Sequence, residues 1–195
     1  MNRPRPHQVN TVLLPDGRVF LAGGMDGADG GPAEIFDPRN PAAGWALCAT
    51  MTTPRGYHSA AILLTDGSVL MGGDRPGAWK SGETLGHERY FPWYYPLTRP
   101  PITAAPASIA YGAAFDVLTP SPAAIAEVVL LRPGAVTHGW SHSQRLVECV
   151  RTGSTATAVQ VQAPPDGNVA PPGYYLLFVL TAARIPSLGR WIRLT

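Results

Sequence analysis

Arg55-Gly56-Tyr57-His58-Ser59-Ala60-Ala61-Ile62-Leu63-Leu64-Thr65-Asp66-Gly67-Ser68-Val69-Leu70-Met71-Gly72-Gly73-Asp74 is the stretch on which the reading of the chain turns. Two apolar runs flank a Thr-Asp-Gly turn, and the second run stops at a Gly-Gly pair. That pattern predicts a tight β-hairpin that leaves its sheet through a flexible corner. Adjacent side chains on an extended strand point to opposite faces, so Tyr57 and His58 can share one centre only where the backbone turns or a strand ends. Gly56 makes such a bend easy.

Residues 9–24, Val-Asn-Thr-Val-Leu-Leu-Pro-Asp-Gly-Arg-Val-Phe-Leu-Ala-Gly-Gly, repeat the hairpin, with Asp16-Gly17 and Asp66-Gly67 lying 50 positions apart. This period matches that of kelch-type propeller blades. Between the two copies, Ala33–Pro38 and Trp45–Leu47 read as the third and fourth strands of a first blade. The second copy continues through Glu88–Phe91 into an aromatic corner, Pro92-Trp93-Tyr94-Tyr95-Pro96, expected to be core. Propellers close with about 4 to 8 blades, so two blades leave open edges. The first expectation is a carboxyl-terminal piece of a longer protein with further blades upstream; the alternatives are self-association, or blades propped against the rest of the chain.

Composition agrees with an all-β protein. Gly and Pro number 21 each and charged residues make up only 14% of 195 residues, which suits short strands joined by turns rather than long surface helices. A boundary is expected near Arg99-Pro100-Pro101, dividing blades at 1–98 from a second domain at 99–195. Beyond it, apolar runs at 114–118, 126–131, 144–150, 156–162, 174–180 and 191–194 are separated by Pro and Gly turns, the pattern of an immunoglobulin-like sandwich. The net charge of +2 is small and the basic residues are scattered, so neither nucleic acid nor an acidic membrane surface is expected as partner. No apolar run approaches the ~20 residues that span a bilayer, and the first ten residues show no signal peptide. Cys48 and Cys149 lack zinc spacing and are expected as two separate buried thiols.

Composition alone gives no metal signature among His7, His58, His87, His138 and His142. Four segments taken together carry a family resemblance instead. Arg55-Gly56-Tyr57-His58-Ser59 with its hairpin is followed by Arg99-Pro100-Pro101-Ile102. Arg132-Pro133-Gly134-Ala135-Val136-Thr137-His138-Gly139-Trp140-Ser141-His142-Ser143-Gln144-Arg145 comes next, and Pro172–Leu180 with Ile185-Pro186-Ser187 ends the series. In order and spacing they resemble the carboxyl-terminal part of the galactose oxidase and glyoxal oxidase family of copper radical oxidases. The resemblance implies a β-propeller holding one copper and an E-set immunoglobulin-like sandwich that sends a loop back to supply a ligand.

By that resemblance Tyr57 is the axial tyrosine and the catalytic candidate, His58 the propeller histidine, and His138 the histidine delivered by the loop. Imidazole and phenolate in an N/O set suit copper(II). Trp140 is expected as a buried plug or a wall over the substrate, and Gln144 and Arg145 as braces of the ligand loop. Complete relatives would oxidise a primary alcohol or aldehyde, including carbohydrate substrates, with oxygen, releasing hydrogen peroxide. The family's thioether-linked tyrosine and cysteine lie on earlier blades, and Cys48 does not match that cysteine, so this chain alone is expected to be catalytically incomplete. The alternative class is a non-catalytic carbohydrate- or protein-binding module. An extracellular location is implied by the resemblance only.

Overall fold

The computed structural model describes residues 1–5, 8–24, 31–73, 86–137 and 140–195. The described chain is all-β and divides into two compact units. The first holds Met1–Leu64, Ser68–Phe91 and Gly134–Gln144; the second holds Thr65–Gly67, Pro92–Pro133 and Arg145–Thr195.

In the first unit, β1 (Val9–Leu13), β2 (Val19–Gly23), β3 (Pro32–Phe36) and β4 (Trp45–Thr50) form a four-stranded antiparallel sheet in sequence order. A second sheet is built from β5 (Ala60–Leu63), β6 (Val69–Gly72) and β7 (His87–Tyr90), again in sequence order. The Asp-Gly turns behave as the sequence demands: Gly17 and Gly67 adopt φ of 80° and 78°, a region open to glycine and costly for most other residues. Alternation sets the core. Val12 and Phe20 lie opposite each other in the first sheet, Leu63, Val69 and Tyr90 share a face of the second, and the Phe20 and Tyr90 rings stack with centroids 4.4 Å apart. The other side of the first sheet buries Glu34, which Arg5 meets at 2.9 Å while also donating to the Gly23 and Pro32 carbonyls.

Three strands of the second unit, β9 (Ala114–Leu118), β14 (Val150–Ser154) and β15 (Ala158–Gln162), form one sheet in the order β14-β15-β9. Opposite it lies a five-stranded sheet containing β8 (Ser108–Ile109), β10 (Ile125–Arg132), β13 (Arg145–Glu148), β16 (Gly173–Thr181) and β17 (Arg190–Leu194), in the order β13-β10-β16-β17-β8. Val128, Leu130, Tyr175, Leu177, Val179 and Ile192 interlock with Val117, Val159 and Val161 to form the sandwich core. The alternate residues Val129, Leu131, Leu176, Phe178 and Leu180 are buried as well, which explains why β10 and β16 read as unbroken apolar runs.

The structure refines three sequence expectations. The run at 144–150 is two strands, because the chain passes from one sheet to the other at Cys149, whose N–H donates to Val128 O. Of the aromatic rings there only Tyr94 is fully buried, its hydroxyl donating to Gly67 O at 2.6 Å; Phe91, with the Arg89 guanidinium 5.2 Å over its ring, and Trp93, edge-on to Tyr94 at 6.0 Å, are exposed. Both cysteines are free, as expected, but Cys48 is half-buried on an outer strand, where its sulfur accepts from the Tyr90 hydroxyl at 3.5 Å.

Candidate metal centre

Between Pro54 and β5 the backbone makes a tight turn: Ser59 N–H donates to Gly56 O at 3.1 Å, and His58 takes a left-handed φ of 60°. Outside glycine this conformation is uncommon, though histidine tolerates it better than most residues. Its consequence is that Tyr57 and His58 do not diverge as neighbours on a strand would. Their rings stack with centroids 3.9 Å apart and planes 21° from parallel, and both residues are exposed.

The turn is held from beneath. Ser59 is buried; its hydroxyl donates to Gly56 O at 2.8 Å and accepts from the Asn10 side-chain amide at 2.7 Å. Gln8 Oε1 accepts from His58 N–H at 2.6 Å. Arg55 is 1% exposed, and its guanidinium donates to the carbonyls of Gly73 and Gly86, while Arg55 O accepts from Gly24 N–H. Arg55 thus binds three glycine corners to the turn, Gly73 and Gly86 through its guanidinium and Gly24 through its own carbonyl, while its buried Nε has no hydrogen-bond partner among the described residues. The sequence assigns no role to Gln8 and Asn10, and Arg55 stands in the resemblance segment only as the neighbour of the Tyr-His pair.

Gly134–Gln144, which interrupts the sandwich in sequence, belongs to the first unit. It forms a hairpin of β11 (Ala135–Thr137) and β12 (Trp140–His142), in register Ala135 with His142 and Thr137 with Trp140. Gln144 fastens it: its Oε1 accepts from Leu13 N–H at 2.8 Å and its Nε2 donates to Thr11 O at 2.9 Å, so one amide side chain copies a ladder pair along β1. Gly134 is required by closeness, since a Cβ there would lie 1.9 Å from Ser141 Oγ and 2.9 Å from Gln144 Cγ.

His138 lies outside the described residues. Trp140 is 67% exposed and packs parallel to His142 with centroids 6.3 Å apart, so it is an exposed face and not a buried plug. The hydrogen bonds of Arg145 run to the Asn168 and Val169 carbonyls in the second unit, both at 2.7 Å. Among the described residues no group of three His, Cys, Asp or Glu side chains is placed to hold a metal ion. Phenol and imidazole on one side of one turn nevertheless fit as two donors of an N/O set, with a third to come from elsewhere.

Open antiparallel sheets followed by a sandwich, with one segment of the sandwich sequence returned to the first unit, define a two-unit all-β protein. Comparison with known proteins gives its relatives. Residues 99–194 match the galactose oxidase-like Early set domain, and the chain belongs with the galactose oxidase-like proteins. It is 32% identical to the aldehyde oxidase GLOX1 of Arabidopsis thaliana, over 95% of this chain and 35% of that one. It is 31% identical to a galactose oxidase of Gibberella zeae, over 95% of this chain and 29% of that one. A fungal alcohol oxidase of the AA5 family, solved in complex with copper, superposes with a TM-score of 0.82 at 27% identity, covering 96% of this chain and 42% of that one. The chain thus spans about a third of the length of the curated relatives it matches.

Proposed function

We propose that this chain is the copper-binding, carboxyl-terminal part of a copper radical oxidase-like protein whose blades belong to a kelch-type propeller. Tyr57, His58 and His138 would be the ligands that this chain supplies, three of four at most. In this reading the whole protein oxidises a primary alcohol or aldehyde with oxygen and releases hydrogen peroxide. The observation that carries the proposal is the turn at 56–59, which stacks the Tyr57 and His58 rings 3.9 Å apart within the same compact unit that takes in the 134–144 hairpin. The copper-bound AA5 alcohol oxidase and the oxidases among the curated relatives support the choice of metal and of substrate class.

When bound, copper would supply a one-electron couple and a Lewis-acidic position for the substrate oxygen. The residues of this chain would arrange the surroundings. Tyr57 offers a phenol oxygen that can hold or accept the substrate hydroxyl proton. Trp140, exposed at the end of the hairpin, offers an apolar face for the substrate carbon skeleton. Gln144 fixes the hairpin to β1, and Arg55, Asn10 and Gln8 keep the turn from relaxing. A two-electron oxidation needs a redox group besides copper. The resemblance assigns that group to earlier blades, and Cys48 sits instead against Tyr90, so the chain by itself is proposed to bind copper without turning over.

Copper(II) titration of the purified chain, with a chromophoric chelator as competitor, tests this reading. One equivalent should bind tightly, and His58→Ala and His138→Ala should each weaken it by at least tenfold. Equal affinity in both variants would refute the assignment.

A further inference from the structure

Two arginines flank the 134–144 segment in sequence. Arg132 ends β10 and Arg145 begins β13, and the register sets them directly opposite each other in the antiparallel pair. Both stand on the core-facing side of the five-stranded sheet, in line with Val128, Leu130 and Val147, and both are half-buried. Like charges directly across a ladder repel unless something neutralises them. Among the described residues neither guanidinium meets a carboxylate. Glu148 and Glu127 lie at odd spacings from Arg145 and Arg132 along their strands and therefore belong to the opposite face. Asp166 is occupied otherwise, its Oδ1 accepting from Asn168 N–H and Val169 N–H at 2.8 and 3.1 Å.

A rigid floor lies beneath the pair. Arg145 donates one nitrogen to the Asn168 and Val169 carbonyls, the Tyr111 hydroxyl donates to Ala170 O at 2.7 Å, and the Tyr175 hydroxyl donates to Pro171 O at 2.6 Å. Burial raises the titration of Tyr175, while Arg132, by charge and by hydrogen bond, and Arg145, by charge, act against that rise. The wall beside Arg132 is Gly173, whose missing Cβ would stand 3.8 Å from an Arg132 terminal nitrogen. A guanidinium presents five donors in a planar fork. The bonds to carbonyls use one nitrogen of Arg145, Arg132 meets the Tyr175 hydroxyl, and each fork keeps further donors.

We propose that Arg132 and Arg145 form a binding site for a small oxyanion, a carboxylate or a phosphate, at the end of the sandwich where the chain departs for and returns from the 134–144 hairpin. The anion accepts from both forks and cancels the cross-strand repulsion. This site is separate from the proposed copper ligands and does not depend on that reading.

Isothermal calorimetry on the full chain tests it, with inorganic phosphate in one arm and acetate in the other, in a non-coordinating buffer at constant ionic strength. At least one arm should give saturable one-to-one binding, and the active arm identifies the source of the anion. Arg132→Gln should weaken that binding at least tenfold, whereas Arg193→Gln, an exposed arginine opposite Tyr174 on β17, should leave it within twofold. If Arg132→Gln does not fold, Arg132→Lys keeps the charge, loses the fork, and should weaken binding several-fold. No saturable heat in either arm, or binding that survives the Arg132 change or falls equally with the Arg193 change, would overturn the proposal.

Discussion

Replacing Gln144 by Leu removes both polar ends of the side chain that ties the 134–144 hairpin to β1 while keeping a similar volume. Two neutral hydrogen bonds are lost, at 2.8 Å from Leu13 N–H and 2.9 Å to Thr11 O. Each contributes about 1 kcal/mol net. Thr11 and Leu13 are half-buried, so water can reach the exposed N–H and C=O and the penalty for leaving them bare stays small. The hairpin should lose about 2 kcal/mol of local stability, and its opening should become about 30-fold more frequent. Amide hydrogen exchange reads this directly: the protected amides of 135–137 and 140–142, with that of Leu13, should exchange about 30-fold faster. Val179, in the sandwich core, should be unchanged. Gln144→Glu keeps an acceptor for Leu13 N–H but has no donor for Thr11 O, so it should fall between the two. Exchange in Gln144→Leu within twofold of the unaltered chain, with the fold intact, would show that something else holds the hairpin.

Gly134→Ala places a methyl 1.9 Å from Ser141 Oγ, so the hairpin must shift, and a loss of about 1–3 kcal/mol in its stability is expected by the same exchange measurement. Burial alone would raise the Glu34 carboxyl, but hydrogen bonds from Asn2 and Arg5 and the Arg5 charge outweigh it and hold the group below its usual value. Its stabilisation is therefore present above the unfolded value of about 4.3 and is lost as pH falls through the depressed one. Urea midpoints followed against pH should show Glu34→Gln less stable than the unaltered chain at neutral pH, with the gap closing in acid. Burial, with Glu148 nearby, pushes the Cys149 thiol up to about 12, whereas Cys48 is half-buried. At pH 8 a thiol reagent should label Cys48 alone in the folded chain and both cysteines in urea; fast labelling of Cys149 without denaturant would contradict the core assignment.

The hairpins were legible in the sequence because Asp-Gly between apolar runs specifies a turn locally, and β10 and β16 because burial on both faces leaves an uninterrupted apolar run. What failed to show was decided by distant partners. The crossing at Cys149 depends on which sheet each half of one apolar run joins, and periodicity does not encode that. Pairing of Gln144 with β1, more than 130 positions away, follows from where the hairpin lands, not from its neighbours. At the candidate centre the residues Tyr57 and His58 could be picked out, but their stacking rests on a left-handed φ at His58, and ordinary strand alternation predicts the reverse. Gln8, Asn10 and Arg55 serve that turn through bonds to backbone and hydroxyl groups, for which a single sequence holds no signature.

The central claim is that one ion joins the Tyr57-His58 turn to the hairpin. Pulsed electron paramagnetic resonance of the copper(II)-loaded chain counts the imidazoles on the metal. Two should be found in the unaltered protein, and one in each of His58→Ala and His138→Ala. The same count in His138→Ala as in the unaltered chain would mean that the hairpin supplies no ligand, and the account of a centre shared between turn and hairpin would fail.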